Sequence, residues 1–311
     1  MRKGLQIILS IFAFGSLHAQ FAPAAGQPGS TAIHKDSTAF KAWATACTVQ
    51  IGWQDISDTS LGRANTGNAD AAIGHAGANG VVSLGDGGVA TLEFVPAIYN
   101  GDGWDFAVFE NGFTDSFLEL AFVEVSTDGN RFVRFPATSL TQTDTPLGGF
   151  GALRSENINN LAGKYRANFG TPFDLEELTD SSGIDISNIR FVRLIDVVGS
   201  MDDAFASYDS KGNKINDPFP TPFPQCGFDL DAVGVINSAE KTGLSDVSNT
   251  PFSIYPNPSS GKLFFEKEIK NGVLRDMQGK IVLVFSGDFV DVSELQNGVY
   301  VLGQQKIVLC K

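Results

Sequence analysis

The fold of this chain is decided by the stretch FLELAFVEVSTDGNRFVRFP, residues 117–136. Its two halves are rich in β-branched and aromatic residues, which favour strands. Between them lies Ser126–Asn130, where Asp-Gly suits the positive φ angles of a tight hairpin turn. The stretch therefore predicts two antiparallel strands joined by a turn.

Six further segments have the same character, and most are bounded by Gly, Asn or Asp clusters. They are Val49–Trp53, Gly80–Leu84, Val89–Val95, Trp104–Glu110, Ile189–Val197 and Phe228–Ile236. A short helix is predicted over residues 37–46, with Phe40 and Trp43 on one face. Eight strands without a long helix predict an all-β body, built as an antiparallel β-sandwich or jelly roll.

Composition agrees with a chain of short strands separated by turns. The 311 residues include 34 Gly and 25 Phe, and only 18% are charged. The formal net charge of −13 argues against nucleic acid as a partner, because phosphate binding needs a basic face.

The chain divides into four predicted segments. Residues 1–19 have a basic start, an apolar run of about ten residues and small residues before Gln20, the pattern of a secretory signal peptide. The predicted body covers 20–236, with long connections at 137–188 and 199–227 that we expect to carry function. Polar residues 237–250 are a predicted linker, and 251–311 form a small β tail with an immunoglobulin-like sandwich fold.

The tail carries the most specific motifs in the sequence. Tyr255-Pro256-Asn257-Pro258 is followed by Asp276–Gly279 and by Leu295–Tyr300, which includes Gly298 and Tyr300. In this order the motifs resemble the type A C-terminal sorting domain of the type IX secretion system. The resemblance implies export across the outer membrane, engagement of the secretion machinery, and removal of the tail by a surface sortase. Release or attachment to lipopolysaccharide would follow, giving a secreted or outer-membrane surface protein.

The body resembles a widespread group of exported surface proteins without an established activity. The resemblance lies in Asp105–Phe113, Leu120–Gly129 and Phe228–Ile236. The strand pattern is similar to that of galactose-binding-like jelly rolls.

Acidic residues are the candidate ligands for a metal ion. The Gly-rich turn at 100–105 contains Asn100, Asp102 and Asp105, and Asp229 and Asp231 share a face of the last body strand that becomes apolar further along. Flexible oxygen-rich loops suit Ca²⁺, so some of these five residues are predicted to bind it. Glu110 and Asn111 lie a strand's length from Asn100 and would belong to a second oxygen cluster.

Two other interpretations of the acids stay open. An inward-facing carboxylate must be paired or bind a metal, and the arginines at 131, 134, 190 and 193 are available as partners for acids such as Glu124 and Asp196. Alternatively, two carboxylates about 5–10 Å apart could serve a glycosidase.

Two cysteines of the body are candidates for a disulfide. Export implies an oxidising compartment, in which Cys47 and Cys226 could form a bridge or remain two buried thiols.

Together these features predict a non-enzymatic surface binding module, with carbohydrate as its first candidate ligand and Ca²⁺ as a stabilising ion. The alternatives are a secreted carboxylate-dependent hydrolase acting on glycans and a structural surface or adhesin protein.

Overall fold

The computed structural model describes residues 21–238, 253–278, 280–302 and 305–311. The chain divides into two compact units, Met1–Ala239 and Glu240–Lys311, called here the body and the tail. The predicted signal peptide and residues 239–250 of the predicted linker lie outside the described residues. Within the described ranges, no helix has the length and apolar character needed to cross a membrane.

The body contains fourteen described strands, most of them short. They are β1 Ile33–His34, β2 Ala42–Trp43, β3 Ala46–Gln50, β4 Val82–Ser83, β5 Val89–Ile98, β6 Phe106–Glu110, β7 Ala121–Ser126, β8 Val133–Arg134, β9 Thr138–Ser139, β10 Ile158–Asn159, β11 Leu161–Ala162, β12 Phe169–Phe173, β13 Ile189–Asp196 and β14 Asp229–Val235. Four short 3₁₀ helices lie at Thr59–Leu61, Ala69–Ala72, Ser155–Asn157 and Leu175–Leu178.

Two six-stranded antiparallel sheets dominate the body. The first has the order β1-β12-β6-β14-β2, with β4 also pairing with β14. The second has the order β11-β7-β13-β5-β3, with β8 also pairing with β7. Side chains from both sheets meet in one core, which confirms the predicted all-β, sandwich-type fold.

The central strands of the first sheet are buried on both faces. On β6, Phe106 and Val108 point into the main core, whereas Ala107 and Phe109 belong to a smaller cluster on the other face. A strand covered on both faces can have a continuous apolar sequence, which explains the run before Glu110.

The predicted helix over residues 37–46 is wrong. The chain there forms a turn at residues 38–39 and then enters the short strand β2, which pairs with the end of β14. Phe40 and Trp43 each lie 5.5 Å, between ring centroids, from Phe109. The aromatic pair therefore covers the outer face of the sheet, and this tertiary packing outweighs the local helical pattern.

The tail is a small antiparallel β unit with its own core. Its strands are β15 Ile254–Tyr255, β16 Lys262–Asp276, β17 Ile281–Asp291, β18 Gly298–Leu302 and β19 Gln305–Leu309. They follow the order β15-β16-β18-β19, with β17 also pairing with β16. Leu263, Leu274 and Ile307 are among its fully buried core residues.

Candidate functional site

Two neighbouring strands of the first sheet, β6 and β14, each have a carboxylate at the same end of the sheet. β6 ends at Glu110 and β14 begins at Asp229, and in this antiparallel pair Glu110 lies opposite Leu230. The register shifts between Leu230 and Ala232, as at a β-bulge, a feature that often re-aims side chains near functional sites. The sheet therefore brings Glu110 and Asp229 together.

A third carboxylate reaches the same place from the segment before β7. The backbone of Glu119 passes close to Gly163, which has φ +81°, and a Cβ on Gly163 would stand 1.8 Å from the Glu119 carbonyl oxygen. One carboxylate oxygen each of Glu110, Glu119 and Asp229 lies within 4.8 Å of the other two. We call these three residues the acid cluster.

Hydrogen bonds fix two members of the acid cluster. Glu110 Oε2 accepts a bond from the Gly112 amide at 2.7 Å. Asp229 Oδ2 accepts one from Gln225 Nε2 at 2.6 Å, and Asp229 Oδ1 accepts another from the Ser83 hydroxyl. These contacts come from three separate parts of the chain, so the cluster depends on the complete fold of the body.

Burial makes ionisation of the acid cluster costly. The exposed fractions of Glu110, Glu119 and Asp229 are 1%, 9% and 2%. Burial raises the pKa of Glu110 and Glu119 well above the usual value, and neighbouring carboxylates, Asp229 among them, raise both further. Burial also raises the pKa of Asp229, although hydrogen bonds from Ser83 and Gln225 oppose it. Among the described residues, no Lys, Arg or His forms an ion pair with the three.

Two members of the acid cluster, Glu119 and Asp229, line a small cleft with a volume of about 120 Å³. Phe113 and Phe150, each 78% exposed, form its rim together with Phe223. The Phe150 ring lies 5.8 Å from that of Phe223, between centroids. The cleft is lined by Asn111, Phe113, Phe117, Glu119, Gly149, Phe150, Thr221, Phe223, Gln225 and Asp229.

Both long connections of the body reach this cleft. Gly149 and Phe150 come from the 137–188 connection, and Thr221, Phe223 and Gln225 come from the 199–227 connection. Thr221 is 4% exposed, and its hydroxyl has no hydrogen-bond partner. The two segments singled out for their length thus build the walls of one cavity.

Further acids lie behind the cluster. Asp217 is 3% exposed, and its Oδ1 atom has no hydrogen-bond partner. Burial and the charge of Asp86 raise the pKa of Asp196 to about 8, and burial raises the pKa of Asp86 to about 7. The body therefore concentrates several buried acids near one end of the first sheet.

The five residues predicted as calcium ligands are not in one site. Asp105 is adjacent to residues 236 and 237, beyond the end of β14, because both backbone amides donate to its carbonyl oxygen. Asp229 starts β14, and seven residues of strand span about 20 Å. The prediction that Glu110 and Asn111 lie apart from the 100–105 turn is confirmed.

In the 100–105 turn, the Asp105 carboxylate holds neighbouring backbone segments in place. Asp105 is fully buried, and its carboxylate accepts bonds from the Gly101 and Leu175 amides and from Asn237 Nδ2. Asn100 Nδ2 donates to Glu176 Oε2 at 2.7 Å, and Asp102 is exposed. The Asp105 carboxylate accepts three hydrogen bonds, one more than that of Asp229, which leaves it less capacity for a cation.

Asp231, the fifth predicted ligand, has different neighbours from Asp229. Its Oδ1 atom accepts a bond from the Gly77 amide at 2.8 Å, and the charges of Lys35 and His75 act on it. The two carboxylates are therefore not one site, although they alternate along the same strand.

Arginine pairing accounts for one inward carboxylate. Glu124 on β7 forms ion pairs with Arg134 on β8 and with Arg193 on β13. Asp196 instead accepts bonds from the backbone amides of Phe228 and Gly87.

The predicted Cys47–Cys226 disulfide is absent, because both cysteines are free. Cys47 lies on β3, an edge strand of the second sheet, whereas Cys226 is buried and its thiol donates to the Trp53 carbonyl. Burial raises the pKa of both thiols to about 12, which favours their protonated form.

The sequence gives only weak signals for the cleft. Glu119 stands between Leu118 and Leu120, both fully buried. An acidic residue inside an apolar run is the feature of the sequence that could have indicated a role for Glu119. Phe113, Thr221 and Gln225 lie in irregular segments, where no periodicity points to a shared site.

The sorting motif is built into the sheet of the tail. Asn257 Nδ2 donates to the Lys306 carbonyl, and Asn257 Oδ1 accepts from the Val308 amide, both at 2.8 Å. Tyr300, next but one after Gly298 on β18, is buried, and its hydroxyl donates to the Gln296 carbonyl. Tyr255 is 54% exposed, and Pro256 and Pro258 flank Asn257 at the surface.

Comparison with known proteins identifies the tail. Residues 253–306 match the family described as the secretion system C-terminal sorting domain. No curated protein matches the chain. The match agrees with the motif positions above, so this is a secreted or cell-surface protein whose tail is a type IX secretion sorting domain that engages the secretion machinery.

Proposed function

We propose that the body is a non-enzymatic ligand-binding module that acts outside the cell, with carbohydrate as its ligand class and Ca²⁺ as a stabilising ion. One observation carries the proposal: exposed phenylalanine rings form the rim of a cleft whose floor consists of carboxylate, amide and hydroxyl groups.

A sugar ring matches both parts of such a cleft. Its C–H face is apolar and suits the electron-rich face of an aromatic ring, as Phe113 and Phe150 offer here. Its hydroxyl groups can donate to Glu119 and Asp229 or accept from the Gln225 amide. A few polar groups in an otherwise apolar cavity are the usual means of fixing a ligand's orientation.

The tail completes the proposal. After export, a surface sortase removes it, and the body is released or attached to lipopolysaccharide. The basis for this part is the sorting-domain match over residues 253–306.

The first test removes the aromatic rim. In the variant Phe113→Ala/Phe150→Ala, both exposed rings are lost and the buried core is unchanged. We expect about a tenfold or greater loss of affinity for whichever glycan the unmodified chain binds, measured on a glycan array and then by calorimetry.

The matched control is Trp104→Ala, which removes a ring that is 37% exposed and does not line the cleft. Its glycan affinity should be unchanged. Failure of the correctly folded chain to bind any glycan or cell-wall polysaccharide would remove carbohydrate from the proposal.

A carboxylate-dependent hydrolase is the second candidate. Its specific support is that Glu119 and Asp229 have carboxylate oxygens within 4.8 Å of each other at the floor of an open cleft. Retaining glycosidases place two carboxyl groups about 5–5.5 Å apart. Shortening of a bound glycan over time, abolished in Glu119→Gln, would favour the hydrolase over the binding module.

A further inference from the structure

The acid cluster lacks the positive partner that buried carboxylates require. Glu110, Glu119 and Asp229 are each at least nine-tenths buried, and no ion pair among the described residues includes them. A buried charge is normally paired or bound to a metal, or else it is neutralised. Three such groups in contact raise the cost further, because like charges in a medium of low dielectric repel strongly.

The spacing of the oxygens fits a single ion. Calcium binds oxygen ligands at 2.3–2.6 Å, so two oxygens on one ion can lie up to about 5 Å apart. The three carboxylates present oxygens within 4.8 Å of one another. The donors are all oxygen, a set that suits a hard cation such as Ca²⁺.

Two residues around the cluster contain a buried polar atom without a hydrogen-bond partner, which is a second sign of a missing ligand. The Thr221 hydroxyl, in a residue that is 4% exposed and lines the cleft with Glu119 and Asp229, has no partner. The Asp217 Oδ1 atom is likewise buried without a partner, and the charge of Asp217 acts on Glu119. Native structures leave few such atoms unsatisfied, and an unplaced ion or water is one standard explanation.

The side-chain amide of Asn111 lies within hydrogen-bond distance of two members of the acid cluster. With the amide in one orientation, its nitrogen donates to Glu110 Oε1 at 3.1 Å and to Asp229 Oδ2 at 3.2 Å. In the opposite orientation its oxygen faces the same two carboxylates. That orientation is unfavourable unless a cation lies between the oxygens.

We propose that Glu110, Glu119 and Asp229 bind one Ca²⁺ ion at the floor of the cleft, with the Asn111 side-chain oxygen as a further ligand. The positions on the open side of the cleft are left for water or for oxygens of a ligand. This inference rests on the calcium part of the proposed function, and it replaces the ligand set predicted from the 100–105 turn and Asp231.

The test is a calcium titration of the full chain after treatment with EDTA, in the absence of any glycan. We expect one Ca²⁺ per chain by calorimetry and a rise in the melting temperature of the body. Glu119→Gln should weaken calcium binding by about tenfold or more. The same variant should melt at or above the temperature of the unmodified chain in EDTA, because it removes a buried charge.

Asp102→Asn is the matched control, since it neutralises an exposed acid of the turn that the sequence predicts to bind calcium. It should bind Ca²⁺ like the unmodified chain. Three results would overturn the inference: no binding at millimolar Ca²⁺, equal loss of binding in Asp102→Asn, or a Glu119→Gln chain that fails to fold in EDTA. Because the calcium titration contains no glycan, a negative result would not decide the carbohydrate proposal, which the glycan-binding experiment tests separately.

Discussion

Single carboxylates in this body differ in how the fold compensates for their burial. Glu124 has two arginines, and Asp105 has three N–H donors. Asp86 has one side-chain bond, in which its Oδ2 atom accepts from the Ile56 amide at 2.8 Å. Hydrogen-bond donors and cations favour the charged form of a carboxylate, although burial still raises the pKa of Asp105 despite its three donors.

Asp86 therefore makes stability depend on pH. Its pKa is about 7 in the folded chain because of burial, with a smaller contribution from the charge of Asp55, against an ordinary value of 3.8. Between these values the folded state holds a proton that the unfolded state has lost, so stability falls as the pH rises from about 4 to about 7. Above about pH 7, the loss of stability caused by burying the charged Asp86 carboxylate is complete and no longer changes with pH.

Asp86→Asn should remove this penalty while keeping an acceptor for the Ile56 amide. We expect the variant to match the unmodified chain at pH 4 and to be more stable at pH 8, by up to about 4 kcal/mol. Thermal or urea unfolding in EDTA at several pH values measures it. A difference that does not change with pH, or a less stable variant at pH 8, would show that Asp86 is not the group responsible.

At the scale of strands and loops, the alternation of apolar and polar residues predicted where strands form. The sequence of the irregular segments did not predict which residues meet in the fold. The eight predicted strands correspond to β3–β8, β13 and β14, because strand periodicity is local information. The bounds shifted by a few residues, as with Phe117–Leu120, which lie before β7. The helix over 37–46 failed because Phe40 and Trp43 pack against Phe109, a residue distant in sequence.

The site illustrates the same limit. Asp229 was predicted as a ligand, but its partners Glu119 and Thr221 come from segments whose meeting depends on the complete body. Asp105 was predicted as a ligand because the turn is rich in oxygen atoms. Its actual partners are the amides of Gly101 and Leu175 and the side chain of Asn237. Composition identifies oxygen-rich loops, whereas only the fold shows which oxygens are already bonded.

Within the tail, one side chain joins the sorting motif to the last strand. Asn257 bonds to Lys306 and Val308 on β19 through two hydrogen bonds, each worth about 0.5–1.5 kcal/mol. In Asn257→Ala, the Val308 amide should exchange its hydrogen faster, and less protein should reach the cell surface. Ser260→Ala, at an exposed position of the same turn region, is the control. Unchanged exchange at Val308 would contradict this role for Asn257.

At the scale of the whole molecule, the body and the tail have separate hydrophobic cores. The acid cluster lies in the body, and every residue of the sorting match lies in the tail. The contacts described above for the acid cluster are made by body residues and those of Asn257 and Tyr300 by tail residues, so we expect damage to one set to leave the other function intact. Two variants compared in one strain can test this separation.

Glu119→Gln should reach the cell surface in normal amounts and fail to bind calcium tightly. A chain lacking residues 253–311 should remain inside the outer membrane and, once purified, should bind calcium like the complete chain. Surface protease accessibility and calorimetry measure the two properties. The reverse pattern, in which the body variant blocks export or the truncated chain loses calcium binding, would mean that export and ion binding depend on a shared structure. The prediction follows from the cores themselves, because an export signal that folds around Leu263, Leu274 and Ile307 needs no side chain from the acid cluster.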